Sequence, residues 1–408
     1  MARSIYSFMV KAITFRRRML EAFRELEKNL QTSIRENENL KLVIDEQARE
    51  INRSSARHRP KTQLRGSPQF IEQSSFPDDR DLIERIVRAY RLANVTPLGA
   101  AESMWLTNIA DLKQNIHDVL MGGNVEEIAP IFRNPASSAL FYGFENTYSS
   151  DLPREKTLED FWGFEASYDA LRGIGEAIGI LRIENPENFY FGSMVNPVST
   201  DDLIDILEGH FGFQIVFPNP YAEEYGLKTK RGVATYRAIQ GLFQAHRIHE
   251  LVHRNSNARI VEIGGGLGRT AFYAALFGLS NYTLVDLPMT AAAQAYFLGR
   301  SLGEDRICLF GEDRPGIQIV PPSAFSGSDD YFDLVVNIDS LTEMARDTAD
   351  QYCAAIQRRS AKFLSVNHEA NNFTVHQVMK DIGLSASSRT PYWLRRGYVE
   401  EIFDLNNR

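Results

Sequence analysis

Cysteine is nearly missing from this chain: two occur in 408 residues, Cys308 and Cys353. A disulfide-stapled secreted scaffold is thereby excluded. One cysteine falls in a strand-like run and the other in a helix-like run, so both read as small buried apolar side chains of a cytoplasmic protein. Also lacking is any apolar run near the ~20 residues that a bilayer-spanning helix needs. Positive charge is in deficit, with 45 Lys and Arg against 53 Asp and Glu and a net charge of −8. Such a chain has no overall basic field to gather nucleic acid or acidic membrane. Only the segment up to Arg18 is locally basic, which leaves peripheral membrane contact open there. A secretory signal is not expected, because Arg16, Arg17 and Arg18 follow the apolar stretch Ile5–Phe15 instead of preceding it.

Proline and glycine are absent from Arg17 to Asn52, where Phe23, Leu30, Asn37, Ile44 and Ile51 recur at heptad spacing. That is one seam of a coiled coil, although the partner positions Glu27, Ile34, Lys41 and Ala48 are only half apolar. A homo-oligomer joined through this helix is expected, with a solvated single helix as the alternative. Residues 1–60 therefore form an N-terminal helix. Ser, Arg, Pro and Gly dominate from Ser54 to Pro77, as in a linker, and residues 61–230 make up this linker and a helical cap or substrate region. There, Trp105, Ile109, Leu112, Ile116, Val119 and Leu120 form a helical stripe that ends at Gly122-Gly123. Aromatics crowd the next stretch: Phe141, Tyr142, Phe144, Tyr148, Phe161, Trp162, Phe164 and Tyr168. Sugar rings stack on such side chains, but the core of a helical cap accounts for most of them more simply. Thr200 caps a helix running through Leu207, Phe213–Phe217 resembles a short strand, and a helix covers Gly232–Val252.

From residue 231 to 408 the pattern alternates. Strands are read at 259–263, 282–285, 306–310, 332–338 and 361–367, and helices at 268–278, 289–301 and 347–359. Such alternation predicts a Rossmann-like parallel sheet with helices on both faces. The segment Ser385–Leu405 lacks a crossover helix and is left to supply closing antiparallel strands. Hydrophobic residues make up 43% of the chain, enough for real cores in both regions.

The first strand of this domain ends in Glu262-Ile263-Gly264-Gly265-Gly266-Leu267-Gly268. Glycines permit a sharp turn and let a ligand reach the backbone amides, which lie at a helix N-terminus. About twenty residues on, the second strand ends at Asp286-Leu287-Pro288, where a carboxylate can accept both hydroxyls of a ribose. Two registers compete. G-x-G-x-x-A over Gly266–Ala271 suits a dinucleotide such as NAD. E-x-G-x-G-x-G over Glu262–Gly268 suits S-adenosylmethionine and uses every glycine. In the second register the loop Gly264–Gly268 runs under the methionine tail, Glu262 orders the loop or meets the ammonium, and Asp286 with Leu287 holds the ribose end. Glu312 and Asp313 follow the third strand, where the adenine amino group finds an acceptor.

The fourth strand ends in Asn337-Ile338-Asp339 and continues to Glu343; the fifth ends in Asn367-His368-Glu369. Asn337 faces the cofactor. Asp339, Glu343, His368 and Glu369 form the candidate active site. Methyl transfer is an in-line displacement from a good leaving group, so the protein must align the nucleophile and deprotonate an alcohol. Histidine suits a base near neutral pH. The carboxylates can orient it, bind sugar hydroxyls or hold a divalent cation that acidifies the alcohol; spacing alone names no metal.

Glu262–Ala271, Tyr282–Pro288, Asn337–Met344, Asn367–Glu369 and Pro391–Glu400 resemble the bacterial sugar O-methyltransferase family, which is class I and S-adenosylmethionine-dependent. The resemblance covers the C-terminal half and the helical region before it, and excludes the N-terminal helix. It implies methylation of a sugar hydroxyl in a glycan or glycolipid intermediate of surface polysaccharide synthesis. The glycine and Asp-Leu-Pro pair is also similar to plant small-molecule O-methyltransferases. An NAD-dependent oxidoreductase and a non-catalytic coiled-coil scaffold of a polysaccharide-synthesis complex are the alternatives.

Overall fold

The protein is described by a computed structural model covering residues 68–70, 79–94, 114–134, 140, 162–183, 198–221 and 224–405. The expected coiled coil, Trp105 to Leu112 and most of the aromatic-rich stretch lie outside the described residues.

Eleven strands are described, in two sheets. A small antiparallel sheet joins β1 (Pro68–Phe70), β2 (Tyr225–Thr229) and β3 (Gly232–Ala234). The large sheet holds β4 (Ile260–Ile263), β5 (Tyr282–Val285), β6 (Ile307–Leu309), β7 (Ile317–Val320), β8 (Leu334–Ile338), β9 (Lys362–His368), β10 (Ser388–Pro391) and β11 (Tyr398–Asp404). Their spatial order is β10-β11-β9-β8-β4-β5-β7-β6. Every neighbouring pair is parallel except β9/β11 and β10/β11. This is the expected Rossmann-like α/β sheet, closed at one edge by an antiparallel hairpin.

Alternation along the strands divides the core into two layers, because successive side chains point to opposite faces. Ile260, Leu284, Val336 and Leu364 enter one cluster; Val261, Val285, Val335 and Phe363 enter the other. The first layer carries α6 (Tyr236–Leu251), α7 (Arg269–Leu276) and α8 (Pro288–Leu302); the second carries α9 (Pro322–Ser326), α10 (Arg346–Arg359) and α11 (Val375–Asp381). Ala349, Cys353 and Ile356 line the inward stripe of α10. Both cysteines are buried and free.

The helices before the small sheet are α1 (Arg80–Ala93), α2 (Gln114–Gly122), α3 (Val125–Arg133), α4 (Trp162–Ala177) and α5 (Thr200–Phe211). The stripe Leu82, Ile83, Ile86, Val87 and Tyr90 buries α1 in the same cluster as α8, so one hydrophobic core runs across residue 230. Buried Asp79, just before α1, accepts from Arg133 of α3 and from the Tyr296 hydroxyl of α8 (2.6 Å). Tyr168 is buried, and its hydroxyl donates to the Val198 carbonyl (2.6 Å).

Four expectations change. Thr200 does not cap its helix but opens it: the Ser199 hydroxyl accepts from the Asp202 N–H (3.1 Å), and the helix runs past Leu207 to Phe211. Phe213–Phe217 is not a strand: the Asn219 side chain bonds both the N–H and the C=O of Val233 (2.9 and 3.0 Å), taking the backbone groups that a ladder would use. The helix expected from Gly232 starts at Tyr236, where the Thr235 hydroxyl accepts from the Ala238 N–H (3.1 Å), and the residues before it form β3. Finally, the β-α alternation passes over Ile317–Val320, which forms β7 between β5 and β6. Among the described residues no helix is long and apolar enough to cross a membrane.

Candidate active site

The glycine loop leaves β4 at the centre of the sheet. Gly264, Gly266 and Gly268 have φ of +74°, +56° and +85°, a region that L side chains rarely adopt. A side chain on Gly264 would run into Ser340. The Gly264 N–H donates to Val285 O (2.8 Å) and the Gly268 N–H to Gly265 O (2.9 Å), which closes the turn into α7.

Glu262 is 2% exposed and accepts from the Tyr282 hydroxyl (2.9 Å). Burial pushes its carboxyl up to about 7; the tyrosine bond opposes this, and the charge of Asp286 adds to it. A side chain so enclosed orders β4 against β5 and does not reach out to an ammonium group. Of the two roles expected for Glu262, only the structural one fits.

Asp286 ends β5 half-buried. Its carboxylate accepts from the Leu287 N–H (2.8 Å) and from Gln294 Nε2 (2.9 Å). Burial pushes it up to about 7 against these bonds and those from Gly266 and Thr290. Leu287 follows as the residue preceding α8, which starts on Pro288.

Glu312 and Asp313 are not brought to this group. The strand that they follow, β6, is the edge strand, and β7 separates it from β5. Glu312 is taken by the Arg85 guanidinium through Nε and Nη2 (2.7 Å each) and by the Leu309 N–H (2.9 Å). Burial raises its pKa, but the Arg85 and Leu309 bonds outweigh that and hold the carboxyl below its ordinary range. Asp313 is exposed. Both assignments as adenine acceptors are corrected; the linear pattern gave no sign of Arg85, which lies 227 residues away.

On the other side of β4, Asn337 is fully buried. Its Nδ2 donates to Ile263 O (2.9 Å) and Ser340 Oγ (2.5 Å), and its Oδ1 accepts from Asn367 Nδ2 (2.9 Å) and the Leu341 N–H (3.3 Å). All its bonding capacity goes to holding β4, β8 and β9 in register, so it does not face a cofactor and acts through the loop that it pins.

Asp339 is in the left-handed region (φ +60°), which is uncommon for a residue with a side chain. Its Oδ2 accepts from Arg395 Nη1 (2.6 Å) and the Tyr398 hydroxyl (2.7 Å). Its Oδ1 is buried and has no hydrogen-bond partner among the described residues; His368 Nε2 lies 3.7 Å from it. Asp339, Glu343 and His368 each offer an atom within 4.8 Å of the others. The Ala370 N–H donates to His368 Nδ1 (3.3 Å), which leaves the proton of the neutral ring on Nε2, facing Asp339. Glu369 is not part of this cluster: it pairs with Arg389 of β10 (2.9 Å) at the exposed edge. The residues missed from sequence are Arg395 and Tyr398, 56 and 59 positions beyond Asp339. The only signal for them was the charged and aromatic density of Pro391–Glu400.

No protein-family model and no curated protein matches the sequence. Among solved structures, the chain is similar to the mitomycin 7-O-methyltransferase MmcR, with 17% identity and a TM-score of 0.32 over 41% of this chain and 56% of that one. It thus spans little more than half the length of that protein. It is also similar to the magnesium protoporphyrin IX methyltransferase ChlM from Synechocystis PCC 6803 with bound SAM, at 11% identity and TM-score 0.30 over 41% of this chain and 81% of that one. A third is the glycopeptide N-methyltransferase MtfA complexed with S-adenosyl-L-homocysteine, at 15% identity and TM-score 0.31 over 40% and 88%.

Proposed function

We propose that this protein is an S-adenosylmethionine-dependent O-methyltransferase acting on a sugar hydroxyl. The observation that carries the reading is the pairing of two half-sites across β4: a loop with three left-handed glycines beside Asp286, and the left-handed Asp339 beside His368. The fit to the cofactor rests on that loop and on Asp286, which the Leu287 amide aims (2.8 Å) at the end of β5. When bound, the sulfonium supplies the methyl group and keeps the electron pair of the broken S–C bond. The sheet supports this cofactor over NAD: dinucleotide folds run 3-2-1-4-5-6 in parallel, whereas here an antiparallel hairpin flanks β9.

The chain's own residues then handle the hydroxyl. His368 Nε2–H donates to the acceptor oxygen, and Asp339 Oδ1, with a lone pair unused, takes its proton as the C–O bond forms. This revises the expectation that His368 is itself the base. A divalent cation on Nε2 would need the ring proton on Nδ1, opposed to the Ala370 N–H, so the cluster favours proton transfer over metal assistance. The sugar assignment rests on the family resemblance of Asn337–Met344 and Pro391–Glu400. Placement in the cytoplasm and self-association through residues 17–52 belong to the same reading.

Calorimetric titration with S-adenosylmethionine and with NAD tests the cofactor; tighter binding of NAD would overturn the reading. Turnover on a panel of glycans and glycolipids tests the acceptor. His368→Ala should lose roughly 10²–10⁴-fold in turnover, and His368→Gln, which keeps a donor, should recover part of it. A Gln variant as inactive as Ala, with wild-type activity rising through the histidine range, would restore histidine as the base. Loss of activity with EDTA would bring back the metal.

A further inference from the structure

Asp339 does not hold its geometry alone. Two donors from the C-terminal hairpin converge on its Oδ2, and they come from opposite sides of one turn. Arg395 lies in the turn between β10 and β11, and Tyr398 opens β11 opposite His368. The Arg395 guanidinium also sits over the Tyr398 ring, 3.9 Å from its centroid, so the two donors brace each other. The turn is itself anchored: the Tyr236 hydroxyl of α6 donates to the Leu394 carbonyl, the Tyr392 N–H donates to Tyr398 O (2.8 Å), and the Trp393 ring stands edge-on to Phe243 of α6 (4.9 Å). The Tyr398 ring stands edge-on to His368 (5.4 Å), so one aromatic side chain touches both members of the pair.

We propose that Arg395 and Tyr398 are positioning residues that hold Asp339 in its left-handed conformation and leave Oδ1 turned toward His368, an inference that rests on the functional reading above. With Oδ2 bonded twice, rotation of the carboxylate would break two charge-assisted bonds, so only Oδ1 faces the reacting oxygen. Tyr398 contributes its bond without adding charge, and Arg395 adds a charged one on the same oxygen.

The test uses the full chain with Tyr398→Phe, Arg395→Met, the double variant, and Arg395→Lys. Crystal structures of the double variant should show Asp339 leaving the left-handed region and Oδ1 moving beyond 3.7 Å from His368 Nε2. Turnover should fall about 10²-fold, as for a misplaced reacting group, with KM and S-adenosylmethionine affinity unchanged and partial recovery in Arg395→Lys. Asp339 unmoved in the double variant would overturn the proposal, whatever the activity. So would a rise in KM at constant kcat, which would make Arg395 an acceptor-binding residue. Failure of the wild-type protein to bind S-adenosylmethionine would sink the functional reading alone, since the structural comparison reads positioning without any acceptor.

Discussion

The two half-sites flanking β4 are built on different principles. On the β5 side the key carboxylates, Glu262 and Asp286, lie close to their partners in sequence: Tyr282, Leu287 and Gln294 are all within twenty positions. Glu262 is enclosed and Asp286 half-buried, and burial pushes both up to about 7. On the β8 side Asp339 and His368 are partly exposed, and the donors that fix them arrive from a hairpin much later in the chain. A site for an invariant ligand can be made from one β-α-β unit, because its shape is set by backbone turns. A site that must meet a variable acceptor is gathered from separate strand ends, where side chains decide the chemistry.

If the halves divide the labour in this way, variants should separate cleanly. Asp339→Asn should lose roughly 10²–10⁴-fold in turnover with cofactor affinity intact; asparagine tolerates the left-handed conformation, so folding should survive. Asp286→Ala should instead weaken cofactor binding by roughly 1–3 kcal/mol. Calorimetry and turnover on both proteins check this, and a shared defect would dissolve the distinction.

The next effect concerns pH. Glu262 rises from 4.5 to about 7 on folding, so the folded protein binds more protons than the unfolded chain within that window. Its contribution to stability is full below about 4.5 and is lost as pH rises through about 7, a change on the order of 3 kcal/mol. Glu262→Gln keeps an acceptor for Tyr282 and removes the titration. The variant should therefore gain stability relative to wild type between pH 5 and pH 8, read as a difference in Tm. A constant difference across that range would mean that Glu262 stays ionised.

The smallest effect tests the corrected assignment. Glu312→Ala should leave cofactor affinity unchanged and cost about 1–3 kcal/mol of stability by leaving Arg85 without its carboxylate, measured by denaturant unfolding. Weakened S-adenosylmethionine binding in a stable variant would return Glu312 to the cofactor site.

What sequence made legible follows the same division. Strands β4, β5, β8 and β9 are readable because they are short, largely apolar runs, and the glycine loop because backbone geometry itself selects glycine. The β-α alternation passes over Ile317–Val320, which is as long as β4 and β5 and bounded by Gly316 and Pro321, because it follows β6 with no helix between them. That omission shifted the third strand outward and carried Glu312 and Asp313 with it. That Asp339 and His368 lie near each other follows from their places at neighbouring strand ends. Glu369 was wrongly grouped with them, since sequence gives no warning that Arg389 of the neighbouring hairpin will claim it.

The hairpin that clamps Asp339 comes late in the chain. Arg395 and Tyr398 follow β4 to β9 in the chain and reach Asp339 only where β11 pairs with β9. A chain interrupted before Arg395 would carry its glycine loop but leave the Asp339 carboxylate without its two donors. The geometry of Asp339 is therefore tied to the closing of the sheet's far edge.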